Sequence, residues 1–176
     1  MPPLVLIAAL LAAPHAAAAA QTSVSPCVDE AARQFDFLVG DWTVTKTGDA
    51  DPLAKVSVTR VADGCALLET LTPLKGISGA ALFTYDADAT LWRMTEVSGD
   101  GEIIQVQGGL QGGQMVLEGD ETGTDKHELV RVSFEANGDA LHESAVKSSD
   151  GRVWSDWFAR DFRRASATPA PPAPRP

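Results

Sequence analysis

Charged side chains recur on faces that are otherwise apolar, and these residues have the means to do chemistry. Arg60 alternates with Val56 and Val58, Glu69 with Leu67 and Leu71, and Glu96 with Trp92 and Met94. A charge on a buried face is costly unless paired or solvated, so the three predict a polar constellation in a wet cavity. There a carboxylate can orient a ligand or act as a general base, and a guanidinium can stabilise an anion. Arg60 and Glu69 flank a tight Asp63-Gly64 turn. Counting outward from it makes them close to cross-strand partners, a pair that would satisfy itself and hold a ligand's polar end. His142 alternates with Ala140, Ser144 and Val146 and is a further cavity candidate, as a general base or an axial haem ligand. Trp42, Phe83 and Trp92 supply apolar walls, and Gly79 and Ala81, on the face of Phe83, leave room beside them. The candidate ligand-binding set is therefore Trp42, Arg60, Glu69, Phe83, Trp92, Glu96 and His142.

No motif assigns a catalytic residue. Gly76-Ile77-Ser78-Gly79 lacks the second spacing of a nucleophile elbow. The run Gly108-Gly109-Leu110-Gln111-Gly112-Gly113 has no Lys-Ser/Thr after it, so it reads as a hairpin and not a phosphate cradle. Neither H-x-x-x-H, H-x-H nor paired C-x-x-C occurs, so no metal site is expected, and no cofactor is called for. His127 falls in a turn-like Thr-Asp-Lys-His-Glu stretch and reads as a solvated loop residue.

The elements that must position these side chains are mostly strands. Val28, Ala31, Ala32, Phe35 and Leu38 recur at near-helical spacing, which predicts one short helix over 28–39, stopped near Gly40. Period-2 alternation then predicts strands at 41–47, 55–62, 65–72, 77–86, 90–98, 102–108, 114–119, 128–135, 140–148 and 153–162. Asp63-Gly64, Asp100-Gly101, Asn137-Gly138 and Asp150-Gly151 suit positive-φ hairpin turns between them. A meander this long must close or split, since open edges invite aggregation. The expected fold is all-β: one up-and-down antiparallel barrel of about 8–10 strands with a short N-terminal helix.

Composition bounds the compartment and the partners. Residues 4–13 form an apolar run too short to span a bilayer, and Ala18-Ala19-Ala20 offers a cleavage site, which predicts a signal peptide over 1–20 and export to the periplasm or beyond. The expected division continues with an N-terminal segment at 21–34, the barrel at 35–164 and a Pro/Ala-rich disordered tail at 165–176. A formal net charge of −10 argues against nucleic acid and anionic membrane surfaces as partners. No second segment reaches spanning length. The two cysteines, Cys27 and Cys65, are candidates for one disulfide in an oxidising compartment, with two free thiols as the alternative.

Three blocks carry a family resemblance: Phe35-Asp36-Phe37-Leu38-Val39-Gly40-Asp41-Trp42, Gly64-Cys65-Ala66-Leu67-Leu68-Glu69, and Ser149-Asp150-Gly151 followed by Trp154. In these the chain resembles a family of small bacterial proteins known chiefly as a domain of unknown function. That family is similar to the calycins: lipocalins, fatty-acid-binding proteins and nitrobindin-like haem proteins. The resemblance implies a calycin-like barrel with an internal cavity and leaves activity open, because a fold does not fix a function. The expected function is binding of a small, largely apolar molecule inside the barrel. The alternatives are an isomerase, cyclase or hydrolase with Glu69 or Glu96 as base and Arg60 as anion stabiliser, a haem protein, or an envelope interaction protein.

Overall fold

The computed structural model describes residues 27–123 and 126–165. The expected signal peptide, the start of the N-terminal segment at 21–26 and the tail from 166 onward lie outside the described residues. Within them the chain builds strands β1 (Gly40–Lys46), β2 (Pro52–Val61), β3 (Ala66–Pro73), β4 (Gly79–Asp86) and β5 (Leu91–Ser98). It continues with β6 (Ile103–Gln111), β7 (Gln114–Gly123), β8 (Lys126–Asn137), β9 (Ala140–Ser148) and β10 (Ser155–Arg164). Each strand pairs antiparallel with its chain neighbours, and β10 returns to β1 from Trp42↔Arg164 to Lys46↔Arg160. The result is the expected up-and-down barrel, closed and ten-stranded, and consistent with a calycin-like fold. Closure leaves no strand edge exposed for pairing with another chain.

Alternation decides what faces inward. Trp42, Val44, Val56, Val58, Leu67, Phe83, Trp92, Met94, Leu117, Val132 and Phe162 are all buried and form one continuous core. Gly108 and Gly119 leave no room for a side chain between β6 and β7. A Cβ at either would overlap the neighbouring strand's backbone, at Val116 and Gln105 respectively. Glycines at such points let a barrel wall curve tightly.

One end of the barrel is plugged. The expected helical segment forms as two successive 3₁₀ turns, Ala31–Arg33 and Asp36–Leu38, with Phe35 between them. Phe35 is fully buried and meets the rings of Trp92, Phe83 and Phe134 at 5.0, 5.2 and 5.4 Å. Those tilted and edge-on contacts add to the apolar burial. The indole N–H of Trp42 donates to the Leu38 carbonyl at 2.7 Å, and that of Trp92 to the Ala31 carbonyl at 3.1 Å. Both large rings thereby satisfy their polar atom while fixing the plug.

The plug's tether explains the glycine in its sequence. Gly40 has φ +131°, and a Cβ there would overlap the Arg164 guanidinium. Arg164 instead reaches past it to the Val39 and Phe37 carbonyls at 2.6 and 3.2 Å and lies over the Trp42 ring at 3.7 Å. Cys27 and Cys65 form a disulfide with a Cα–Cα distance of 5.0 Å, tying the plug segment to the start of β3. Closing that 38-residue loop is worth about 4 kcal/mol in the chain-entropy model.

Candidate functional site at the open end of the barrel

The opposite end is built from the same alternation but filled differently. On β3 the inward positions run Leu67, Glu69, Leu71 from the plug outward, and on β5 they run Trp92, Met94, Glu96. On β7 they run Leu117, Gly119, Glu121, and on β9 Leu141, Glu143, Ala145, Lys147. A bulge between Asp156 and Phe158 resets β10, so that Phe158, Arg160 and Phe162 face in and Trp157 stands at the rim. Each of these strands places an apolar side chain toward the plug and a charged one toward the mouth.

The charges form one interacting group. Lys147 bonds Glu121 and lies 3.4 Å from Glu128. Its ammonium also sits 3.5 Å over the Trp157 ring. Arg160 approaches Glu143 at 3.4 Å, its cross-strand neighbour, and stacks on Phe158 at 3.9 Å. Carboxylates outnumber these two cations, and the protonation states reflect it. Burial pushes the Glu69 carboxyl up to about 8, reinforced by Glu143 and Glu96 and opposed by Arg160. Burial likewise pushes Glu96 up to about 7, with Glu143 and Glu121 adding to it against Arg160. Glu143, only 8 % exposed, is also raised by burial, against the pull of Arg160 and His142.

A cavity of about 200 Å³ opens beside this group. Leu71, Ile77, Ile104, Trp157 and Phe158 give it apolar walls, while Glu96, Glu121 and Arg160 give it a polar floor. The turn after β3 folds over it: the Gly99 N–H donates to the Ser78 carbonyl at 2.9 Å, holding Ile77 and Ser78 at the mouth. Glu121 is 1 % exposed, and its Oε1 has no hydrogen-bond partner. A buried acceptor left unsatisfied is costly, and a ligand donor can relieve it.

Set against the sequence expectations, Glu69 and Glu96 do face inward at this end. Arg60 does not join them. The register pairs Arg60 with Leu67 and Glu69 with Val58, which puts Arg60 a step nearer the plug. There its guanidinium bonds Asp36 and donates to the Gly64 carbonyl at 3.4 Å. The expected Arg60–Glu69 pair is therefore corrected: the count from Asp63-Gly64 holds along the hairpin and sets Arg60 opposite Leu67, with Glu69 only diagonal to it, and the plug's Asp36 takes the guanidinium. His142 faces outward, its Nδ1 2.8 Å from Asp161 on the barrel's exterior, so it neither lines the cavity nor is placed to hold haem there. Trp42, Phe83 and Trp92 pack the plugged half and do not line the cavity at the mouth.

Glu121, Glu143, Lys147 and Arg160 escaped the sequence reading, yet three of them carried the signal that exposed Glu69. Leu141-x-Glu143-x-Ala145-x-Lys147 and Phe158-x-Arg160-x-Phe162 are apolar faces interrupted by charge. In β9 it is the face opposite His142 that turns inward. Glu121 lay beyond the expected end of its strand at 119, which the structure extends to Gly123. Among the described residues no group of three or more His, Cys, Asp or Glu is placed to hold a metal ion. A search with protein-family models found no match, and a search of curated proteins found none either, so the geometry alone carries the functional reading.

Proposed function

We propose that this chain is an exported, calycin-like binding protein that holds a small, largely apolar molecule by its polar end in the open half of the barrel. The observation that carries the reading is the cavity itself: apolar walls from Leu71, Ile77, Ile104 and Phe158 above buried carboxyls with raised pKa. A protein that needed its interior only as a scaffold would gain by filling this end as it fills the other, because buried charge usually costs stability against an apolar replacement. The Cys27–Cys65 bond supports export, since disulfides persist in oxidising compartments. The leader at 1–20 and the three resemblance blocks support it from the sequence side.

Native mass spectrometry of protein purified from its source tests the reading. A retained small molecule, lost on denaturation, is the expected result. A bare polypeptide mass, together with tryptophan fluorescence unmoved by a panel of small amphiphiles, would overturn it.

An enzymatic reading has one specific observation in its favour. Carboxyls titrating at about 8 and about 7 are poised for proton transfer near neutrality, with Glu96 on the cavity wall and Glu69 behind it. In that reading Arg160, not Arg60, stands where a developing anion would be stabilised. Turnover of a bound ligand that Glu96→Gln abolishes without loss of binding would favour the enzyme.

A further inference from the structure

We propose that the polar end of the occupant is an organic ammonium group, received by Glu121 and Glu96 at the floor of the cavity; this rests on the ligand-binding reading above and names its chemical class. Two observations converge on it. Glu121 lines the cavity, and its buried Oε1 lacks a hydrogen-bond partner, so the site presents an acceptor that wants a donor. The two cations of this cluster are already engaged, Lys147 by Glu121, Glu128 and Trp157, and Arg160 by Glu143 and Phe158.

The competing occupants fit less well. The described residues offer no metal-binding group. A carboxylate ligand has one attraction, because Arg160 Nε is also without a hydrogen-bond partner. To reach it, however, an anion would have to displace Glu143, which lies 3.4 Å from that nitrogen. A cavity of about 200 Å³ limits the ammonium to a short alkyl chain or a single ring.

Binding of a cation here is coupled to protons. The groups that set the coupling are Glu69 on β3, Glu96 on β5, Glu121 on β7, Glu128 on β8, Glu143 and Lys147 on β9, and Arg160 on β10, with Glu102 at the mouth. Glu69 and Glu96 hold protons below about 8 and about 7, so an arriving ammonium displaces them. Affinity therefore rises with pH through this range, by about tenfold per pH unit for each proton released.

The test uses the full oxidised chain and three probes of one shape: benzylammonium, benzyl alcohol and benzoate. Calorimetry and Trp157 emission are followed from pH 6 to 8.5. Benzylammonium should bind at least about tenfold more tightly than benzyl alcohol at pH 8, converge with it toward pH 6, and release protons on binding. Glu121→Gln should abolish that preference. Should that variant fail to fold, Glu96→Gln and the parent's pH profile carry the same test. Equal binding of alcohol and ammonium, or tightest binding of benzoate, overturns the ammonium assignment while sparing the ligand-binding reading. Silence from all three probes overturns the assignment as well, and the native mass measurement then decides the broader reading by itself.

Discussion

The two ends of this barrel are made by the same strands with the same alternation, yet they are opposite in character. At the plugged end, inward positions are aromatic or aliphatic, Phe35 sits at the centre, and both buried indoles bond the plug backbone. At the open end, six strands contribute charged side chains to one cluster, and space remains beside them. The difference teaches that stability and chemistry are separated along the barrel axis and not between domains. Apolar burial and the disulfide at one end offset what the carboxyl cluster costs at the other.

Breaking the plug should give the largest effect. Phe35→Ala removes the ring that meets Phe83, Trp92 and Phe134, and should cost about 3–5 kcal/mol by urea denaturation. The carboxyls at the far end should titrate unchanged in whatever fraction stays folded. A loss under about 1 kcal/mol would mean the plug is not the seat of stability.

Replacing Cys27 and Cys65 together by serine should cost about 3–4 kcal/mol, again without altering ligand affinity. Reduction of the parent should reproduce the loss. Equal melting of the oxidised and reduced forms would contradict the tether's role.

The open end should behave in the opposite sense. Glu69, Glu96 and Glu143 have folded-state pKa values above those of an unfolded chain. The stability this contributes is complete below the ordinary carboxyl range, and it is lost as pH rises through about 7 and about 8. The parent should thus weaken from acid toward pH 8. Glu69→Gln should be neutral near pH 4 and more stable than the parent by about 2 kcal/mol at pH 8. A destabilised Glu69→Gln at pH 8 would show that the charged form has a partner the cluster does not provide.

The smallest effect belongs to the exterior. The His142–Asp161 pair lies outside the barrel wall, so His142→Ala should change stability by no more than about 0.5 kcal/mol and leave binding untouched. A binding defect in that variant would restore His142 to the site.

How much of this was legible in the sequence follows the physics of each signal. Strand existence was legible throughout, because alternation and Asn-Gly or Asp-Gly turns are local. The inward face of Glu69 and Glu96 was legible for the same reason. Partnership was not. Arg60 looked like Glu69's partner, but the hairpin sets it opposite Leu67, and Asp36, far from β2 in sequence, takes its guanidinium. In β9 both faces mix polar with apolar residues, so alternation alone could not choose between His142 and Glu143. That choice is made by packing across the barrel, which involves strands distant in sequence. The aromatic block that forms the plug stands out in the sequence at 35–42, whereas its anchor, Arg164, lies on the last strand and carries no local signature.

The central claim is that the open end is a protonated carboxyl cluster awaiting a cationic partner, and carbon-13 NMR of the glutamate side chains tests it most directly. With Glu69 and Glu96 assigned by their glutamine variants, the account predicts midpoints at about 8 and about 7, both falling when benzylammonium is added. Midpoints in the ordinary carboxylate range, unmoved by the probe, would contradict it.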